Sequence, residues 1–484
     1  MSFETPDFSA ALPEMWLLAA LCGVLVADLF SKDPRRTVTL YLTQGALLVT
    51  AVLALGTQWG GEEVTFSGHY VADALGAVIK AAVVLLSALA LGYSRPYLSE
   101  RGLLQGEYYL LVLFANLGML VLASGASLLS LYLGLELLSL ALYALVAYHR
   151  DSQRAAEAAI KYFVLGSLAS GVLLYGMSMV YGATASLELS VIAQVAARHE
   201  DPLLLLFGTV FLLVGVAFKL GAAPFHAWVP DVYQGAPTPV TLFLSTAPKV
   251  AAVALFLRLL VDGLGPLHEQ LQPMLLLLAV ASLLVGNLIA IVQTSFKRML
   301  AYSAIAHAGF IFVGFAAGTD AGHAAALFYT IAYSIMAAGA FGLIVVFSRG
   351  DLEAEEIEDL RGLNERHPVY AGVLLLVLIS MTGIPGTVGF YAKYLVLQAA
   401  VEAGLIPMAI FAVVAAVVGA FYYLRVLKVA YFDRPQAGEQ AATLPFPGAS
   451  ATIRSMLVVN GVAVLVLGIF PERLIALCRA AIGL

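Results

Sequence analysis

About fourteen stretches of roughly twenty mostly apolar residues, joined by short connectors, make up nearly all of this 484-residue sequence. Twenty apolar residues are what a helix needs to cross the ~30 Å hydrocarbon core of a bilayer. In lipid every backbone N–H and C=O must be satisfied within the protein, so a chain of this kind folds as membrane-spanning helices. The spans are expected near 13–31, 37–57, 72–92, 107–124, 126–148, 159–182, 203–222, 239–261, 272–294, 301–318, 324–348, 371–401, 407–431 and 453–470. Composition agrees: 61% of residues are hydrophobic and 12% charged, against roughly 25% charged in soluble domains. The fold class is an all-α polytopic membrane protein.

Basic residues supply an orientation. With the N-terminus outside, most of the 25 Lys and Arg fall on inside connectors, Arg35, Arg36, Arg150, Lys297, Arg298 and Arg425 among them. The outside then holds only Arg198, Arg258, Arg473 and Arg479, while Lys80, Lys219, Lys249 and Lys393 lie within spans. Positive charge is retained on the inner side, so both termini are expected on the outer, periplasmic face. The first residues, MSFETPDFSAALPEMW, are acidic where a cleavable signal would be basic, and the first span is expected to be retained. The acidic stretch Gly350–His367 reads as a solvated connector or, alternatively, a docking surface; Arg434–Gly448 is a Pro/Gly-rich loop.

Two apolar segments exceed one crossing. As continuous helices, 203–238 would extend about 54 Å and 371–401 about 46 Å. Each carries helix breakers, Gly221-Ala-Ala-Pro224 in span 7 and Gly383-Ile-Pro385-Gly386 in span 12. Breaks five spans apart run in opposite directions, the mark of two inverted five-helix repeats, spans 4–8 and 9–13, with spans 7 and 12 discontinuous. Four parts follow: 1–105 with spans 1–3, 106–262 and 263–432 as the repeats, and 433–484 with a loop and span 14. A plain proline kink is the competing reading of either break.

Ionisable side chains at membrane depth mark ion routes. Glu136 lies in span 5, Lys219 before the first break, Lys249 in span 8, His307 in span 10 and Lys393 after the second break. Such groups bridged by water form a proton relay, in which a Glu–Lys pair that can separate controls the lysine's proton. The structural alternatives are a static ion pair for Glu136 with Lys219, and a hydrogen-bonded interior histidine for His307. Lys80, in span 3, reads as snorkelling or structural. Cys22 and Cys478 form no metal-ligand spacing, and there is no haem-type His pair, Fe–S motif or nucleotide loop. The net charge of -6 offers no footprint for nucleic acid.

Several runs resemble a known family. FHAWVPDVYQGAPTPVTLFLSTAPK (Phe225–Lys249), FKRMLAYSAIAHAG (Phe296–Gly309), GIPGTVGFYAK (Gly383–Lys393) and GEYYLLVLFANLGMLVLASG (Gly106–Gly125) look like the antiporter-like membrane subunits of bacterial proton-translocating NADH-quinone oxidoreductase, respiratory complex I. VPDVYQGAPTPV points to subunit N within that family rather than to the L- and M-types. The resemblance implies an inner-membrane translocase subunit, with Glu136, Lys219, Lys249, His307 and Lys393 as its relay. It implies no cofactor or metal on this chain, with NAD(H), flavin, iron–sulfur clusters and quinone on other subunits. It also implies M-type and K-type neighbours and the lateral helix of an L-type subunit along the flank. A subunit of a multi-subunit cation/proton antiporter, and a non-conducting membrane scaffold, are the alternatives.

Overall fold

The structure, a computed structural model, describes residues 6–198, 202–350, 352–434 and 451–484. It is a helical bundle. Spans 1 to 6 are Leu12–Phe30, Thr37–Thr57, Ala74–Glu100, Gly106–Ala123, Leu128–Val146 and Gln153–Thr184. Span 7 is Pro202–Leu220 followed, after a break, by Trp228–Gly235. Span 8 runs through Thr238–Leu244, Ala247–Phe256 and a wide turn, Leu257–Gly263. Spans 9, 10 and 11 are His268–Val292, Phe296–Ala316 and Asp320–Phe347. Span 12 is split into Pro368–Thr382 and Val388–Glu402; spans 13 and 14 are Ile406–Tyr431 and Ala451–Ile469. A final helix, Glu472–Ala481, buries Cys478 against the bundle. A short hairpin, β1 (Glu63–Thr65) with β2 (Tyr70–Ala72), precedes span 3.

Helix starts follow local chemistry. Asp73, Ser127, Ser152, Ser295 and Thr319 each accept a hydrogen bond from a backbone N–H in the first turn of spans 3, 5, 6, 10 and 11, satisfying donors that lipid could not. Spans 8 and 10 are buried along 100% of their most apolar stretch and span 11 along 94%, against 28% for span 1. A helix apolar on every face belongs at the centre of a bundle, and that places Lys249 and His307 in its interior.

The two expected five-helix units share close crossings. Spans 4 and 5 meet at Gly118, where a Cβ would lie 2.6 Å from the Leu138 nitrogen. Spans 9 and 10 meet at Gly286, where a Cβ would lie 2.5 Å from the Ala306 nitrogen. The N-cap positions of spans 5 and 10 also make matching antiparallel backbone bridges, Ser127 with Glu188 and Ser295 with Glu356.

Three expectations need correction. The acidic stretch beginning at Gly350 is no solvated connector. Ala354, Ile357, Leu360 and Leu363 are buried, Glu355 pairs with Arg154 at 2.7 Å, and Glu353 accepts hydrogen bonds from Tyr97, Thr238 (2.9 Å) and Ser348 (3.0 Å). It clasps spans 3, 6, 8 and 11 together. Arg258, counted among the outer-side charges, is buried at the end of span 8 rather than solvated. Its guanidinium is bidentate to Asp73 (2.6 and 2.7 Å) and also reaches Asp262 and the Ala123 carbonyl. Lys297, also read as a connector charge, is 1% exposed and donates to the Ala236 carbonyl. The Pro/Gly-rich loop after Arg434 lies outside the described residues.

Candidate functional site

Glu136 and Lys219 sit on spans 5 and 7, which reach each other through side chains beside span 6, yet form no ion pair within 4.0 Å. Each is held by a serine instead. Ser170 of span 6 donates to Glu136 Oε1 at 2.5 Å, and Lys219 Nζ donates to Ser139 Oγ at 2.8 Å. The static ion-pair alternative is therefore not what the structure contains.

Beyond Lys219 lies the first break. Helix geometry stops after Leu220, and Gly221 takes a left-handed φ of +71°. The chain turns through Pro224 and resumes at Trp228. A helix end leaves carbonyls without partners, and their dipoles sum to partial negative charge. Lys249 answers this: its Nζ donates to the Leu220 carbonyl at 2.5 Å and lies 5.8 Å from the Trp228 ring. Lys249 can reach because span 8 is itself interrupted at Ser245–Thr246, one residue ahead of Pro248. Lys219, Ser139, Trp228 and Lys249 line a common cavity of about 20 Å³, room for about one water.

The second break repeats the arrangement with different parts. Gly383 has φ +93°, and Lys393, from the second half of span 12, donates to the carbonyls of Met381 (3.0 Å) and Thr382 (2.7 Å). Lys393 Nζ lies 5.2 Å from the Phe310 ring, which stacks on Tyr329. Tyr329 in turn meets His307 Nδ1 at 2.7 Å, while His307 Nε2 meets Tyr423 at 3.1 Å. His307 is 4% exposed and belongs to a hydroxyl network with Ser303. Five candidates thus fall into two groups, Glu136–Lys219–Lys249 and His307–Lys393. Spans 8 and 11 pack between the two groups, and there Ser334, whose hydroxyl bonds the Thr330 carbonyl at 2.8 Å, also lies 3.3 Å from the Thr246 carbonyl.

Residues 125–419, which contain all five, match the family model described as NADH:quinone oxidoreductase/Mrp antiporter, TM. The NADH-quinone oxidoreductase subunit N of Halorhodospira halophila is 86% identical over 484 residues, covering 100% of both chains. The chain belongs to the subunit N family of NADH-quinone oxidoreductases. A chain of respiratory complex I from Thermus thermophilus, solved with bound aureothin, superposes with a TM-score of 0.81 at 34% identity, over 96% of this chain and 98% of that one. A chain of the Mrp complex from a Dietzia species shares the fold, with a TM-score of 0.84 at 21% identity over 99% and 97% of the two chains.

Within this subunit N chain, sequence reasoning missed the hydroxyls. Ser139 stands three residues after Glu136, on the same helix face, and that spacing was a readable signal. Ser170, Tyr329 and Tyr423 carried none, because their roles depend on which helices pack together. Snorkelling fails for Lys80, which is 0% exposed. Its Nζ pairs with Glu14 at 2.6 Å and donates to Gln58 and Tyr70, both at 2.9 Å. The face of the bundle near this cluster opens into a cavity of about 600 Å³ lined by Glu62, Asp73, Glu188, Arg258, Asp262 and Asp320, among others.

Proposed function

We propose that this chain, an antiporter-like membrane subunit of the translocase NADH-quinone oxidoreductase, carries protons through Glu136, Lys219, Lys249, His307 and Lys393. The observation that carries the reading is the water-sized cavity shared by Lys219 and Lys249 beside the first break. A buried lysine is costly to keep charged, and here each relay lysine has its charge balanced by hydroxyl or carbonyl dipoles at a helix end. Such partners hold a cation without fixing it as an ion pair would, so the proton can leave. Quinone chemistry on other subunits alters the field at Glu136–Lys219; Lys219 exchanges a proton with Lys249 through water, and transfer continues towards Lys393.

In this proposal the chain holds no cofactor of its own, its termini face the outer side of the bacterial inner membrane, and spans 4–8 and 9–13 are inverted repeats. The matched crossings at Gly118 and Gly286 and the two lysine-capped breaks support the repeats. Its neighbours are the M-type and K-type membrane subunits and the lateral helix of the L-type subunit. The test is protons pumped per electron in reconstituted vesicles, comparing wild type with Lys219→Ala in fully assembled complex. Pumping or coupled electron transfer falls if the relay runs here. If both persist, the scaffold reading replaces it.

A further inference from the structure

The separation of Glu136 from Lys219 needs a cause, because Lys219 bonds to a serine one helix turn from Glu136, and opposite charges attract strongly in a medium of low dielectric. Each group has one hydrogen-bonding side-chain partner, and both partners are buried serines: Ser139 is 2% exposed and Ser170 5%. A serine hydroxyl has one proton to donate. Ser139 gives its own to the Leu135 carbonyl at 2.7 Å, which leaves its oxygen lone pairs for the Lys219 ammonium. Ser170 spends its proton on the Glu136 carboxylate. The two hydroxyls are thus fixed in opposite roles, one accepting from the cation and the other donating to the anion.

Position matters as much as polarity. Ser139 lies one turn beyond Glu136 on span 5 and lines the cavity that continues to Lys249. Lys219 bonded to Ser139 is therefore next to Glu136 but turned towards the onward route. Ser139 stands twelve residues after the N-cap Ser127, and His307 stands twelve residues after the N-cap Ser295. At the same register, one half of the chain places Ser139 and the other a relay histidine, while Glu136 is matched by Ala304.

We infer that Ser139 and Ser170 are positioning residues that hold the Glu136–Lys219 pair in its separated state, Ser139 by docking Lys219 on the cavity side and Ser170 by occupying the carboxylate. The inference rests on the relay reading above. Removing either hydroxyl lets the pair collapse and keeps Lys219 away from Lys249. A hydrogen bond to a charged group is strong enough that its loss shifts the ratio of separated to closed pair on the order of tenfold.

The experiment measures protons pumped per electron in vesicles holding assembled wild-type, Ser139→Ala, Ser139→Thr, Ser170→Ala, Ser139→Ala/Ser170→Ala and Lys219→Ala complexes. Ser139→Ala and Ser170→Ala each lower the ratio, Ser139→Thr retains it, and the double variant lowers it at least as far as the stronger single, because both losses push the same equilibrium towards closure. A merely structural serine at 139 would give a loss that threonine fails to restore, and that result overturns the inference. If Ser139→Ala and Ser170→Ala pump like wild type while Lys219→Ala does not, the inference falls and the relay stands. If Lys219→Ala also pumps normally, both fall.

Discussion

Gly221→Ala tests whether the first break and its lysine form one device. Gly221 has φ +71°, in the left-handed region, where an alanine costs about 1–2 kcal/mol. A Cβ there would lie 2.6 Å from Val229 Cγ2 and 3.2 Å from Lys249 Nζ. The first contact is closer than van der Waals packing allows, and relieving such crowding costs about 1–3 kcal/mol. The sum is about 2–5 kcal/mol, large beside the usual 5–15 kcal/mol of a folded domain. Part of that strain falls on the Lys249–Leu220 hydrogen bond, because Nζ must give way to relieve the second contact. Gly171→Ala is the control: span 6 is regular there and nothing lies within 4 Å of the added methyl, so it is neutral or slightly stabilising. Thermal unfolding of the purified complex and pumping per electron are the assays. Gly221→Ala should lower the melting midpoint and, in whatever assembles, the pumping ratio; Gly171→Ala should change neither for the worse. Equal stability and equal pumping in the two variants would refute the claim that the break has no room for a side chain beside Lys249.

The remaining predictions concern charges away from the relay. Glu14→Gln or Lys80→Met alone strands a buried charge and should destabilise spans 1–3 by about 3–5 kcal/mol, seen as faster proteolysis or reduced assembly. The double change Glu14→Gln/Lys80→Met should recover most of that loss, which distinguishes a buried ion pair from a conducting group. For Glu353, burial alone would raise the carboxyl, but Lys297, the Tyr97 hydroxyl, Arg101 and Thr238 outweigh it and hold it below its ordinary value of 4.5. A depressed carboxyl contributes stability above that value and loses it as pH falls through the folded-state value. The melting midpoint should therefore drop on acidification below about pH 4.5, and Glu353→Gln should flatten that limb while lowering the midpoint near neutrality.

Legibility in the sequence followed the physics of lipid. Span 2 was expected at 37–57 and is Thr37–Thr57, because a run of apolar residues ended by polar ones has one solution in a bilayer. Spans 3 and 6 were read short, at 72–92 and 159–182, since their helices continue to Glu100 and begin at Gln153 among residues that no hydropathy pattern marks. Gly221 and Gly383 announced their breaks through glycine and proline. The interruption at Thr246 stayed hidden, although Pro248 lacks the N–H that a continuous helix would use. The depth of Glu136, Lys219 and Lys249 could be counted along their spans. Their partners could not: Ser170 is 34 residues from Glu136 and Leu220 is 29 from Lys249. For Lys80 the structural reading holds and snorkelling does not, and the partner stayed hidden for the same reason, Glu14 belonging to a different span.

The two halves of the chain meet one problem with different chemistry. In both, a split helix leaves carbonyls at membrane depth and a lysine covers them. In the first half that lysine, Lys249, comes from another span, and a carboxylate, Glu136, stands near the preceding lysine. In the second half Lys393 belongs to the broken span itself, Met381 occupies the place before the break that Lys219 approaches in the first, and the span 10 position matching Glu136 is Ala304. In the proposed relay, an electrostatic change therefore meets a carboxylate–lysine pair at the Glu136 end. At the other end the proposed relay groups, Lys393 and His307, bond to backbone carbonyls and tyrosine hydroxyls instead. In the proposed relay the two halves are therefore not equivalent: His307 stands at the register of Ser139 and Ala304 at that of Glu136.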